Sequence, residues 1–124
     1  MDAITHTASG SVEETLDRLK QSIASKGLTL FTVVEHDVAA ETAGLSMPPA
    51  KVVIFGSPAA GTPLMIAAPL LALDLPLRIL IWQDASGRTR VSYGDPGELQ
   101  RRHGLTDEQA APLRATEAIA GALV

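Results

Sequence analysis

Val52–Leu77, VVIFGSPAAGTPLMIAAPLLALDLPL, is the stretch around which the rest of the chain has to be arranged. It reads as a buried strand over Lys51–Phe55, a Gly/Pro-punctuated loop over Gly56–Gly61, a helix, and the start of another strand after Asp74-Leu75-Pro76. Thr62 is placed to cap that helix, with Pro63 at its first position, where the missing N–H costs nothing. Leu64, Met65, Ile66, Ala67, Ala68, Leu70, Leu71 and Leu73 leave the helix no polar side, and Pro69 is expected to kink it. A helix without a polar face needs a cover on both sides, because each large aliphatic left in water forgoes about 1.5–3 kcal/mol. The C-terminal helix could supply the second cover. The favoured expectation is a homodimer through the Leu64–Leu73 helix, since closed two-fold dimers are the commonest soluble assemblies.

The totals fit a single domain over residues 1–124. Hydrophobic residues make up 46% and charged ones 19%, so the chain can build a core and is not disordered. Aromatics at 3% argue against a base-stacking surface, and a net charge of -4 gives no basic footprint. Nucleic acid is therefore not an expected partner. Without cysteine there is no disulfide, thiol nucleophile or cysteine-based metal site. The N-terminal MDAITHTASG lacks the charged and apolar regions of a signal peptide. The apolar run over residues 63–73 is shorter than the roughly 20 residues that span a bilayer. A cytoplasmic protein without a membrane partner is the expectation.

Ala3–Ala8 has the period-two spacing of a strand. Ser11 and Glu14 form a capping box, and Val12, Leu16, Leu19 and Ile23 then make one apolar stripe on a helix that Gly27 stops. Leu28–Glu35, LTLFTVVE, is apolar on both faces and reads as a central strand, completing a β-α-β unit with its two strands parallel. Asp37 is placed to cap a short helix over Val38–Ala43, closed by Gly44. Leu77–Gln83 and Arg88–Tyr93 read as a hairpin about Asp84–Gly87. Asp95, Pro96 and Glu98 open another helix, and Thr106 with Gln109 open a C-terminal one that Pro112 bends. The pattern predicts an α+β fold, a two-layer sandwich of helices on a mixed β-sheet.

Taken together, SVEETLDRL (11–19), KGLTLFTVVEHDVAAETAGLSMPP (26–49), the opening stretch with its G-x-P-x-x-G-T-P loop and L-D-L-P, then S-Y-x-D-P and RRHGL (101–105), resemble the domain of unknown function 302 family. The resemblance covers almost the whole chain. It implies a compact α+β domain, often dimeric, and no transferable catalytic residues.

Candidate chemistry is sparse. The Gly56–Thr62 loop has the glycine spacing of a phosphate-binding loop, but Thr62 stands where lysine is required, so nucleotide hydrolysis is not expected. Backbone N–H groups at a helix start, with the Ser57 and Thr62 hydroxyls and Gly61, suit a small anionic ligand; a plain strand-to-helix turn is the simpler reading. His36, beside Glu35, Asp37 and Glu41, is the candidate general acid or base, with Tyr93, Asp95 and the loop hydroxyls around it in the enzymatic alternative. Capping by Asp95 and burial of Tyr93 explain those residues more simply. His36 and His103 with Asp37 or Asp95 lack metal-ligand spacing, so no metal and no cofactor is expected. Trp82 reads as core or interface packing. The leading function is a homodimeric domain that binds a small anionic ligand or serves as an interaction module.

Overall fold

The computed structural model describes residues 3–124 as helices packed on one five-stranded sheet, an α+β fold with a β-α-β opening. The strands are β1 (Ala3–Thr7), β2 (Thr29–Glu35), β3 (Ala50–Gly56), β4 (Leu77–Gln83) and β5 (Thr89–Gly94). Their order is β1-β5-β4-β3-β2. Every neighbouring pair is antiparallel, so the sheet is not mixed in its hydrogen bonding. The β-α-β opening survives in another form. β1 and β2 run in the same direction, but α1 (Val12–Ser25) carries the chain across the sheet to its opposite edge, and β3, β4 and β5 fill the gap.

Period-two alternation divides the sheet into two faces. Val53, Phe55, Ile79, Ile81, Val91 and Tyr93 point to one face and are buried under Val12, Leu16, Leu19 and Ile23 of α1 and Ile119 and Ala120 of α6 (Ala115–Gly121). Val52, Ile54, Leu80, Trp82, Arg90 and Ser92 alternate with them and stay half-buried on the opposite face. The α1 stripe and its capping box form as the spacing requires: Ser11 Oγ accepts the Glu14 N–H and Glu14 returns the bond to the Ser11 N–H.

β2 is an edge strand rather than a central one. Its apolar residues are divided between two tasks instead of two sheet faces. Val33 packs on the core, whereas a register shift between Leu30 and Thr32 takes Phe31 out of the ladder and turns its ring toward a groove. A bulge re-aims one side chain in this way. The next helix, α2, spans His36–Thr42, starting two residues earlier than the capping pattern suggests. Asp37 is not its cap; it reaches across to Lys51 and to the Ala50 N–H.

The opening stretch also differs from its reading in one respect. Ser57, not Thr62, caps the helix, and α3 spans Pro58–Ala67, so most of the expected loop is the first turns of a helix. Pro58 takes the first-position role assigned to Pro63. Pro69 ends α3 rather than kinking it, and Pro69–Leu73 continues as a 3-10 turn. Leu64 and Leu71 then join Leu105, Ala110 and Leu113 in a second small core. Leu105 follows α4 (Pro96–His103), Ala110 ends α5 (Asp107–Ala110), and Leu113 lies in the 3-10 turn Ala111–Arg114. The expected single C-terminal helix is thus broken at Pro112 into short pieces that wrap the second core.

Candidate functional site

The turn from β3 into α3 shapes the principal cavity. Gly56 ends the strand, Ser57 caps the helix, and α3 presents Pro58, Gly61, Leu64 and Met65 along one side at helical spacing. Leu28 and Phe31 of the β2 region, Leu75-Pro76-Leu77 and Pro112-Leu113 complete a groove of about 470 Å³. Its lining residues include no ionisable side chain. Leu64 and Leu113 form a buried floor, while Phe31, Pro58 and Pro112 stand exposed at the rim.

The opposite side of α3 is apolar too, as the absence of a polar stripe in the sequence requires. Ile66, Leu70 and Leu73 stand 77%, 71% and 76% exposed, forming an aliphatic ridge along α3 and its 3-10 extension. The C-terminal helices cover the Leu64 side and leave this ridge bare.

The anion-cradle geometry at Ser57–Thr62 is largely used up by the helix itself. The Ala60 N–H is bonded to Ser57 Oγ (3.2 Å) and to Ser57 O, the Gly61 N–H also goes to Ser57 O (2.8 Å), and Pro58 has no N–H. Thr62 lies within α3 on its exposed side and does not line the groove. Ser57 and Gly61 do line it, next to carbon rather than charge.

The residues of the enzymatic alternative are not brought together. The register pairs Glu35 with Lys51 and Thr29 with Gly56, so His36 lies at one end of the sheet and Ser57 at the other, roughly 20 Å apart along the ladder. Asp95 lies toward the Ser57 end, whereas Tyr93 stands level with Val53 in the middle of β3, in the main core with its ring 6.1 Å from that of His6. Burial pushes the Tyr93 phenol above its ordinary pKa, with Glu117 and Asp95 adding to the shift. Asp95 caps α4 by accepting the Gly97 N–H at 2.9 Å. His36 is exposed. No group of three or more metal-ligating side chains occurs among the described residues.

Two polar clusters escaped the sequence reading, because their members are far apart in the chain. In one, the Lys51 ammonium, only 3% of the residue exposed, lies 3.0 Å from Asp37, 3.5 Å from Glu35 and 3.7 Å from Glu13. Burial works against both charges, yet the Asp37 hydrogen bond and the flanking carboxylates hold Lys51 above its usual pKa. Burial likewise raises the Asp37 carboxyl, but Lys51 and the Ala50 N–H outweigh it and leave it below the usual value. In the other, Asp74 accepts from Arg102 Nη1 at 3.1 Å and meets His103 Nε2 at 2.6 Å. His103 thus ties the end of α4 to the end of the 3-10 turn. A second hollow of about 280 Å³ lies beside Asp74, Arg78, Asp95 and Arg102, and shares Leu77 and Leu113 with the groove as a common wall.

The chain matches the family model of the domain of unknown function DUF302 over residues 4–123. The chain belongs to the DUF302 family. A crystal structure of an uncharacterized conserved DUF302 protein from Bacillus stearothermophilus superimposes with a TM-score of 0.84, covering 99% of this chain and 96% of that one. At 21% identity that likeness carries the fold alone. Among curated proteins, the chain is similar to the fluoride-specific ion channel FluC 1 of Brucella suis and to FluC 1 of Brucella abortus, each 41% identical over 102 residues. The match takes in 82% of this chain but only 40% and 38% of those two proteins, so this DUF302 chain spans about two fifths of the curated relatives' length. Among the described residues no helix is long and apolar enough to cross a membrane.

Sequence reasoning located Ser57 and Gly61 but missed the rest of the groove. Leu28, Phe31 and Leu113 carry no motif, and Leu75 appears only within L-D-L-P. The one available signal was β2 itself, whose apolar residues exceed what an edge strand needs.

Proposed function

We propose that this DUF302 domain works in the cytoplasm as a homodimeric, non-catalytic interaction module, with the ridge of Ile66, Leu70 and Leu73 as its self-contact. The exposure of these three side chains is the observation that carries the reading. Single exposed aliphatics are ordinary, but three on one short ridge gain about 1.5–3 kcal/mol each when covered. A two-fold contact covers the ridge of both copies at once. The curated relatives support a modular role: in them the matching region is a minor part of a longer chain whose name is that of a channel. A role beside such a module, rather than as the pore, agrees with the lack of a membrane-crossing helix among the described residues. An enzyme built on His36 draws no support from a placement that leaves it at the far end of the sheet from Ser57 and Asp95, with Tyr93 buried in the core between them.

Size-exclusion chromatography with light scattering tests the proposal. The wild-type chain is expected to run as a dimer at micromolar concentration, and the Ile66→Glu/Leu70→Glu double variant as a folded monomer. A wild-type monomer under those conditions would sink it.

A further inference from the structure

We propose that the groove between α3, the β2 edge and the Pro112–Leu113 turn is a binding site for an uncharged small molecule with a hydrocarbon body and one carbonyl-type acceptor. This stands apart from the dimer, because Ile66, Leu70 and Leu73 do not line the groove.

Size and shape come first. About 470 Å³ lies within the range of roughly 300–1,000 Å³ typical of small-molecule pockets. An apolar cavity of only about 150 Å³ already takes up benzene. The buried floor at Leu64 and Leu113, beneath the exposed rim at Phe31, Pro58 and Pro112, makes a pit rather than the flat face a macromolecule would cover.

Charge decides the class. With no ionisable side chain in the lining and the Ala60 and Gly61 N–H groups already bonded within the turn, an ionised ligand group would exchange its water for a single neutral hydroxyl, that of Ser57. The lining does hold one directional polar group. Ser57 Oγ accepts from Ala60, and no acceptor for its own proton occurs among the described contacts, so the hydroxyl is free to donate to a ligand oxygen. The glycines keep the space open. A Cβ at Gly61 would meet Leu75 at 3.7 Å and Met65 at 3.9 Å, ordinary contact distances, so a side chain there occupies the groove without forcing the backbone.

Methyl-¹³C methionine NMR tests the inference with acetophenone, ethylbenzene and phenylacetate, which share a carbon count and differ in their polar group. Met65 reports from the groove wall, and the exposed Met47, before β3 at the other end of the sheet, serves as the control. Acetophenone is expected to shift the Met65 methyl saturably and leave Met47 unmoved. Ethylbenzene is expected to bind about fivefold more weakly for want of the hydrogen bond. Phenylacetate at neutral pH is expected to bind at least roughly tenfold more weakly, because its charge must be desolvated. Gly61→Leu should abolish the Met65 shift, and Gly61→Ala, which suits a helix, should weaken it in a chain that still folds. The absence of a saturable Met65 shift, equal binding of phenylacetate, equal binding of ethylbenzene, or binding unchanged by both Gly61 variants would each overturn the proposal.

Discussion

Asp74 shows how much a single carboxylate holds in place. It joins the end of the Pro69–Leu73 turn to both Arg102 and His103 at the end of α4. The His103 hydrogen bond is the largest influence on its pKa; burial opposes it, Arg102 reinforces it, and the net effect is a carboxyl below its ordinary value. A carboxyl lowered in the folded state stabilises the fold above its unfolded pKa of about 3.9, and that contribution fades as pH falls through the lower folded value. Asp74→Asn is therefore expected to cost about 1–2 kcal/mol near neutral pH, the scale of a hydrogen bond to a charged group at a partly exposed site. In urea titrations the gap between wild type and variant should narrow below about pH 4. A gap that is constant across that range would mean the Asp74 charge is not what holds the two elements. None of this was legible in the sequence: Asp74 and His103 are 29 positions apart, and only the packing of α4 against the 3-10 turn brings them together.

At the scale of elements, short-range polar signals were read well and long-range placement poorly. The Ser11/Glu14 and Thr106/Gln109 capping boxes form as their spacing requires, because a cap is decided within four residues. At the start of α3 two residues compete. Both Ser57 and Thr62 precede a proline, and both can cap; Ser57 wins because starting the helix there carries Leu64 to the second core and Gly61 to the groove. Ser57→Ala should accordingly destabilise the protein by about 1 kcal/mol, whereas Thr62→Ala, on the exposed side of the helix, should be close to neutral. Thermal unfolding of the two variants checks the assignment; the reverse order would restore the cap to Thr62. The misreading of β2 has a different origin. An apolar run on both faces is what a central strand shows, and no local signal reveals that Phe31 leaves the ladder for the groove.

For the molecule as a whole, composition and period predicted the α+β class and the helix without a polar face. They did not give strand order. Local spacing cannot distinguish a crossover to the next position from one that spans three intervening strands, and this chain takes the second course. The consequence is a sheet covered on one face by α1 and α6, a second core at the Gly56–Leu77 end, and aliphatic residues left outside both.

Trp82, half-buried on the side of the sheet away from α1 and α6, gives that asymmetry an optical consequence. It is the sole tryptophan, and its indole N–H is held by Ser92 Oγ at 2.9 Å in a fixed local setting. Ultraviolet emission from this chain is therefore a one-site signal from the open face. It follows the melting of β4 against β5 and turns bluer when anything shields that face from water. It stays silent when the groove is filled or when two ridges meet, so intrinsic fluorescence separates a partner that docks on the sheet from every event at α3.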